Sequence, residues 1–312
     1  MEKIVRKNGE LWYDTNGEAI HAHGGFILEH DDYFYWYGED RRENYYVSCY
    51  RSSDLVHWEF RNHVITTTTP TSEIRIRTKR MLQSETGGKV NLERPKVIYN
   101  KKTQKFVLWV HFENGENYND AAVAIATSDY PDSGFVYHGH FNPFGYMSRD
   151  CTLFVDTDDT AYFISAARDN ADLHVYQLSD DYMNVDSLVH KLWQGEYREA
   201  PAVVKHEDEY LMLSSFCTGW DPNQAKFSVS KAIHSHWSVL QEIGDETTYG
   251  SQPAFLLKYK DQILYFGDRW QGGGEAYFTS GYTIYPLIKD ELGWHLKKYD
   301  EVIFDETGIS FR

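Results

Sequence analysis

A unit that recurs five times constrains this chain more than any other feature of its sequence. Each copy opens on an acidic or polar residue, usually with a proline close behind, and runs through an apolar strand and a short polar turn into a second, aromatic-rich strand. The paired strands are residues 23–28 and 33–37, 93–99 and 105–109, 150–155 and 161–164, 199–204 and 209–213, and 251–257 and 262–266. The leading residues step from 93 to 150 to 199 to 252. A repeat of roughly fifty residues belongs to propellers, solenoids and arrays. Length alone would divide 312 residues into two domains, but all-β barrels and propellers run this long as one. The expectation is therefore a single all-β domain over residues 1–312, a five-bladed β-propeller with no appended carbohydrate-binding module.

The aromatic share of 16% suits strands and flat ligands alike, with packing as the default use of each ring. A net charge of −16, from 47 acidic against 31 basic residues, excludes nucleic acid and anionic membrane as partners, since both need a basic footprint. The one basic cluster, Arg75 to Arg80, follows the Thr66 to Thr69 run in what reads as a loop insertion. Cys49, Cys151 and Cys217 show neither CxxC pairing nor zinc-ligand spacing, so free thiols are expected. The N-terminus has no apolar leader, and no stretch approaches eighteen apolar residues. As it stands the chain reads as a soluble, cytoplasmic protein; a secreted chain whose leader has been removed reads the same way.

Clusters such as Glu29-His30-Asp31-Asp32, Asn100-Lys101-Lys102-Thr103 and Asp156-Thr157-Asp158-Asp159 mark hairpin turns. Ser53-Asp54, Ser128-Asp129 and Ser179-Asp180 mark turns between the third and outer strands of a blade. No long window sustains a capped 3.6-residue apolar period, so helix is a minor component. Segments around Leu11-Trp12-Tyr13 and Trp294-His295-Leu296 are expected to pair and close the ring.

In a propeller the first strand of each blade lies nearest the axis, so the opening residues face a common pocket. In order they are His23, Glu93, Asp150, Glu199 and Gln252. Three carboxylates from separate blades suit either a divalent cation or cleavage of a glycosidic bond. The blander reading is solvated acids at strand ends. No contiguous calcium-loop pattern is present, so no metal or cofactor is implied. Glycoside hydrolysis needs a carboxylic acid held protonated and a group that directs water, and crowded carboxylates raise one member's pKa.

The motifs Ala22-His23-Gly24-Gly25, Tyr35-Trp36-Tyr37-Gly38-Glu39, Glu93-Arg94-Pro95-Lys96, Ser148-Arg149-Asp150, Arg198-Glu199-Ala200-Pro201, Cys217-Thr218-Gly219-Trp220 and Gly250-Ser251-Gln252-Pro253 together resemble glycoside hydrolase family 43, in its exo-β-1,3-galactanase branch. The likeness runs from about residue 10 to 300. It implies an inverting enzyme that releases galactose from the non-reducing end of β-1,3-galactan or its oligosaccharides. It also implies that Glu199 is the general acid and Asp150 the carboxylate that tunes it. The first-blade aspartate that is the base across most of the family is replaced by the His21-Ala22-His23-Gly24-Gly25 stretch. In the galactanase branch the glutamine matching Gln252 takes over the water-directing role. An amide oxygen is a very weak base, so Glu93 stands as an alternative base beside its implied part in holding substrate. The resemblance further implies hydroxyl contacts from Glu39, Arg94, Tyr118, Asn170 and Thr218, with Trp220 or Trp270 as a stacking platform. Trp36 and Trp109 fall to packing, while His23 and His111 are candidates to line the pocket, with a hydrogen-bonded structural role the better reading for His111.

Three other readings stay open. An α-L-arabinofuranosidase or β-xylosidase would normally carry the missing aspartate. A phosphorylase would need a basic phosphate pocket, for which Arg94, Arg149 and Arg198 are at hand. A non-catalytic carbohydrate-binding propeller would have no need of Glu199.

Overall fold

The computed structural model describes residues 3–74 and 79–312, so Arg75 to Thr78 of the basic cluster, and the first two residues, lie outside it. Within it the repeat becomes sheet. The chain divides into two compact units, one of residues 21–53 and 59–199, the other of 1–20, 54–58 and 200–312.

The first unit carries three four-stranded antiparallel meanders in sequence order. The first comprises His23–His30, Tyr33–Glu39, Tyr45–Ser52 and Glu59–Thr66. The second comprises Asn91–Asn100, Lys105–Glu113, Ala122–Ser128 and Val136–Phe141. The third comprises Cys151–Val155, Ala161–Ala167, Asp172–Leu178 and Val185–Leu192. Their inner strands are apolar on both faces because each sheet is packed on another. Tyr37, Val47 and Cys49 pack with Val97, Leu108 and Val110, while Trp109 and Val123 pack with Leu153, Phe163 and Tyr176. Each fully buried ring or branched chain is worth about 1.5–3 kcal/mol. Trp109 also donates its indole N–H to Tyr182 O at 2.8 Å, so it and the buried Trp36 belong to packing.

The second unit carries two more meanders. One comprises Arg198–His206, Glu209–Phe216, Lys226–Ser230 and Gln241–Glu242, its first two residues falling in the first unit. The other comprises Gln252–Tyr259, Gln262–Arg269, Gly281–Asp290 and Gly293–Leu296. Leu211, Leu213 and Phe227 pack with Tyr265, Tyr285 and Trp294. A further three-stranded sheet joins the two chain ends: Ile4–Lys7 pairs with Glu301–Asp305, which pairs with Gly308–Phe311.

The described residues therefore form six propeller-blade sheets where the repeat predicts five. The sixth is built from terminal segments that carry no copy of the unit, so counting copies misses it. The expected closing segments are also corrected. Trp294–Leu296 is the outer strand of the fifth sheet, and Trp12 is buried in a loop, edge-on to Tyr282 at 6.2 Å and to Phe304 at 6.2 Å.

Every hairpin between first and second strands turns on a residue with left-handed φ: Asp31, Gln104, Asp159, Glu207 and Lys260. The Ser-Asp turns sit between third and fourth strands as expected, with Asp54 Oδ1 accepting the Val56 and His57 amides and Ser128 Oγ accepting that of Tyr130. Helix among the described residues is confined to three short 3₁₀ turns. None is long and apolar enough to cross a membrane. The three cysteines are free, Cys49 and Cys151 buried and Cys217 partly exposed.

Candidate functional site

Left-handed backbone marks the opening of three sheets. Gly24, Arg94 and Ala200, each one residue beyond an opening side chain, have φ of 56°, 57° and 49°. The ladder slips register just after His23, Glu93 and Pro253. Such bulges re-aim a side chain out of the pleat, and a non-glycine residue held left-handed costs about 1–2 kcal/mol. At position 24 a side chain would also crowd its neighbours. A Cβ there would stand 2.7 Å from Glu39 Oε1 and 3.4 Å from Arg94 Cα.

In the first unit these openings feed a chain of alternating charges. Glu39 is almost wholly buried and takes both Arg41 Nε (3.0 Å) and Nη2 (2.9 Å) on Oε2, and the Arg94 amide on Oε1 (3.0 Å). Arg41 Nη2 also reaches Glu93 Oε1 at 3.0 Å, where Tyr118 donates its hydroxyl at 2.5 Å. On the other oxygen, Glu93 Oε2 lies 3.4 Å from His111 Nδ1, whose Nε2 is 2.9 Å from Glu113 Oε1. Beyond that, Arg149 Nε stands 3.8 Å from Glu113 Oε1, and its Nη1 holds Asp169 at 2.7 Å.

This chain sets the protonation of its members. Burial pushes Glu93 up, yet the hydrogen bond and charge of His111, the charge of Arg41 and the Tyr118 hydroxyl together hold it well below the usual carboxylate range. Burial pulls His111 down, but its hydrogen bonds to Glu113 and Glu93 prevail and raise it from 6.5 to about 9. Burial and the Glu93 charge push the Tyr118 phenol up, so it remains a donor. A carboxylate held so far down is a poor proton acceptor and a strong hydrogen-bond acceptor. His111 is thus an ion-pair partner, whereas His23 is fully buried.

Asp150 and Glu199 have partners of their own. Asp150 Oδ2 is 3.2 Å from Arg94 Nε. Glu199, partly exposed, receives Asn170 Nδ2 on Oε2 at 3.3 Å. Asn170 ends a run of three left-handed residues, with Arg168, Asp169 and Asn170 at φ of 52°, 57° and 62°. Arg168 anchors the run on Asp172 at 3.1 Å.

In the second unit a matching run, Thr248, Tyr249 and Gly250 at φ of 52°, 57° and 74°, precedes Gln252. Asp245 Oδ1 secures it by accepting the Tyr249 amide at 2.6 Å and that of Thr247 at 3.0 Å. Backbone strain of this kind persists where surrounding contacts over-determine it, and it clusters at functional sites. The Gln252 side chain is held at both ends: Nε2 donates to Ser215 Oγ at 2.9 Å, and Trp270 Nε1 donates to Oε1 at 2.8 Å. A cavity of about 10 Å³ lies beside it, lined by Ser215, Trp220, Asp221, Gln252, Asp268 and Trp270 among others. That volume holds about one water.

Of the remaining predicted contacts, Trp220 is 38% exposed and meets Trp270 edge-on at 5.2 Å. Thr218 is exposed, donating to Asp221 O at 2.6 Å and accepting from Asn223 Nδ2 at 2.7 Å within its own loop. The structure thus gathers Glu39, Glu93, Arg94, Tyr118, Asp150, Asn170 and Glu199 in one unit, and Thr218, Trp220 and Gln252 in the other. Sequence reasoning missed Arg41, Glu113 and Ser215. The signal for Arg41 was faint, a basic residue two positions past the acidic end of an aromatic strand. Among the described residues no cluster of three or more His, Cys, Asp or Glu side chains has metal-holding geometry.

Comparison with known proteins follows the same motifs. A model of glycosyl hydrolases family 43 matches residues 21–243. The crystal structure of an exo-β-1,3-galactanase from Clostridium thermocellum superposes with a TM-score of 0.89 at 44% identity, covering 99% of this chain and 68% of that one. An exo-β-1,3-galactanase from Phanerochaete chrysosporium, crystallised as a Glu→Gln variant with β-1,3-galactotriose, superposes with a TM-score of 0.87 at 33% identity, covering 99% and 70%. No curated protein sequence matches the chain.

Proposed function

The chain belongs to glycosyl hydrolase family 43, and on that premise we propose that it is an exo-acting hydrolase releasing galactose from the non-reducing end of β-1,3-linked galactan or galacto-oligosaccharide, with inversion at the anomeric carbon. The likeness to galactanases across nearly the whole chain carries the choice of substrate. Glu199 is the general acid that protonates the departing glycosidic oxygen, with Asp150 orienting it. Gln252 directs the attacking water. Its immobilised amide beside a cavity for about one water supports that role. Glu93, kept ionised by Arg41 and His111, binds substrate hydroxyls and is a poor base. The exposed Trp220 offers a sugar ring its apolar face.

Phosphorolysis is disfavoured by the arginines. Arg94 is committed to Asp150, Arg149 to Asp169, Glu113 and the Tyr118 carbonyl, and Arg198 is buried.

The test is NMR of products released early from β-1,3-galactobiose and galactotriose. The expected first product is α-galactose. Early β-galactose would refute inversion, and intact substrate would remove the galactanase reading. Glu199→Gln should cut kcat by about 10²–10⁴-fold while still binding galactotriose. Unchanged turnover would remove Glu199 from the chemistry.

A further inference from the structure

We propose that Trp270 and Ser215 are positioning residues that decide which end of the Gln252 amide meets water, with Trp270 as the orienting lock. This rests on the reading of Gln252 as the water-directing group. An amide has two chemically opposite ends: the oxygen accepts a hydrogen bond from water, whereas the NH₂ can only donate. A water that is to attack carbon must give up hydrogen, so only the oxygen end is productive. In side chains of similar shape at both ends, nothing intrinsic selects one orientation over the other.

The surroundings select it here, and unequally. The Trp270 indole N–H is solely a donor, and it lies 2.8 Å from Gln252 Oε1. Flipping the amide would set NH₂ against N–H, losing one hydrogen bond and facing two donors. The Ser215 hydroxyl, 2.9 Å from Nε2, can donate or accept and would tolerate either orientation. It fixes the amide's place while Trp270 fixes its direction. The lock is itself braced: the Trp270 ring stacks on the buried Tyr277 at 5.8 Å and 25°, with Trp220 edge-on to both. Trp270, Ser215 and Gln252 also line the cavity of about 10 Å³, so the oriented amide adjoins room for about a single water. Trp270 therefore acts through Gln252.

The experiment measures kcat and KM on β-1,3-galactobiose for the wild type, Gln252→Ala, Trp270→Phe and Ser215→Ala, with and without sodium azide. Azide attacks the anomeric carbon directly, breaking its bond to the departing oxygen while Glu199 supplies the proton. It yields α-galactosyl azide and needs no hydrogen taken from the nucleophile. Gln252→Ala should lose about 10²–10⁴-fold in kcat. Trp270→Phe keeps an aromatic ring and removes the N–H. It should lose at least about 10-fold in kcat with KM nearly unchanged, and azide should restore its turnover as it does that of Gln252→Ala. Ser215→Ala should lose less. Wild-type kcat in Trp270→Phe, a loss confined to KM, or a loss that azide repairs in Gln252→Ala but not in Trp270→Phe would each overturn the lock and leave the role of Gln252 standing. Wild-type kcat in Gln252→Ala would overturn that role, and the lock with it.

Discussion

At the scale of single residues, the unit of the site is an ion chain. Glu93 is useful as an acceptor because Arg41 and His111 hold it ionised, and Arg41 can do so because it also neutralises Glu39. Arg41→Lys keeps a charge but gives up the planar fork, and a single ammonium cannot reproduce three contacts to two carboxylates. KM should rise several-fold more than kcat falls; a selective fall in kcat would instead place Glu93 in the chemical step. The chain also predicts a pH signature. His111, raised to about 9, adds stability that is complete below about 6.5 and lost as pH climbs toward 9. Glu93, held low, adds stability that is complete above about 4.5 and lost as pH falls. Calorimetry from pH 4 to 10 should therefore show a melting temperature highest between those limits, and His111→Gln should flatten its alkaline decline. An unchanged alkaline slope would show that His111 is neutral in the folded chain. Little of this was legible beforehand, because Arg41 and Glu93 are 52 residues apart.

Elements explain why the carboxylates point as they do. The opening residues could be read from the repeat, but the left-handed residue behind three of them could not, since neither arginine nor alanine signals positive φ. Lys96 shows what the second sheet's bulge accomplishes: fully buried, it donates through Nζ to the Gly24 and Gly25 carbonyls at 2.6 and 3.0 Å. The two bulges thus share one ammonium and interlock. Gly24 has a structural duty of its own, since a Cβ at that position would press on the buried Glu39 carboxylate at 2.7 Å. Gly24→Ala should destabilise by at least about 1–2 kcal/mol and weaken substrate binding by displacing Glu39. A wild-type melting temperature and KM would show that this contact yields.

For the whole molecule, the terminal sheet adds a strand-to-strand link between the ends of the chain. Asn8, just past the first strand, donates to the Ile284 and Tyr299 carbonyls at 3.0 and 2.9 Å and accepts the Ile284 amide at 2.7 Å. With each hydrogen bond worth about 1 kcal/mol and each kcal/mol worth about 2–4 °C, a chain beginning at Gly9 should melt at least about 6 °C lower. Unaltered melting would mean that the sixth sheet is an ornament. The sequence by itself determined the meanders, their turns and the residues that open them, because strand periodicity and turn chemistry act over a few neighbouring positions. It also held the galactanase-like motifs in which Glu199, Asp150 and Gln252 stand. Tertiary structure alone decided that the described residues form six sheets, that Glu93 sits between Arg41 and His111, and that Trp270 turns to the Gln252 amide. Those outcomes depend on contacts between residues distant in sequence, and a periodic pattern carries no record of which distant side chains will meet.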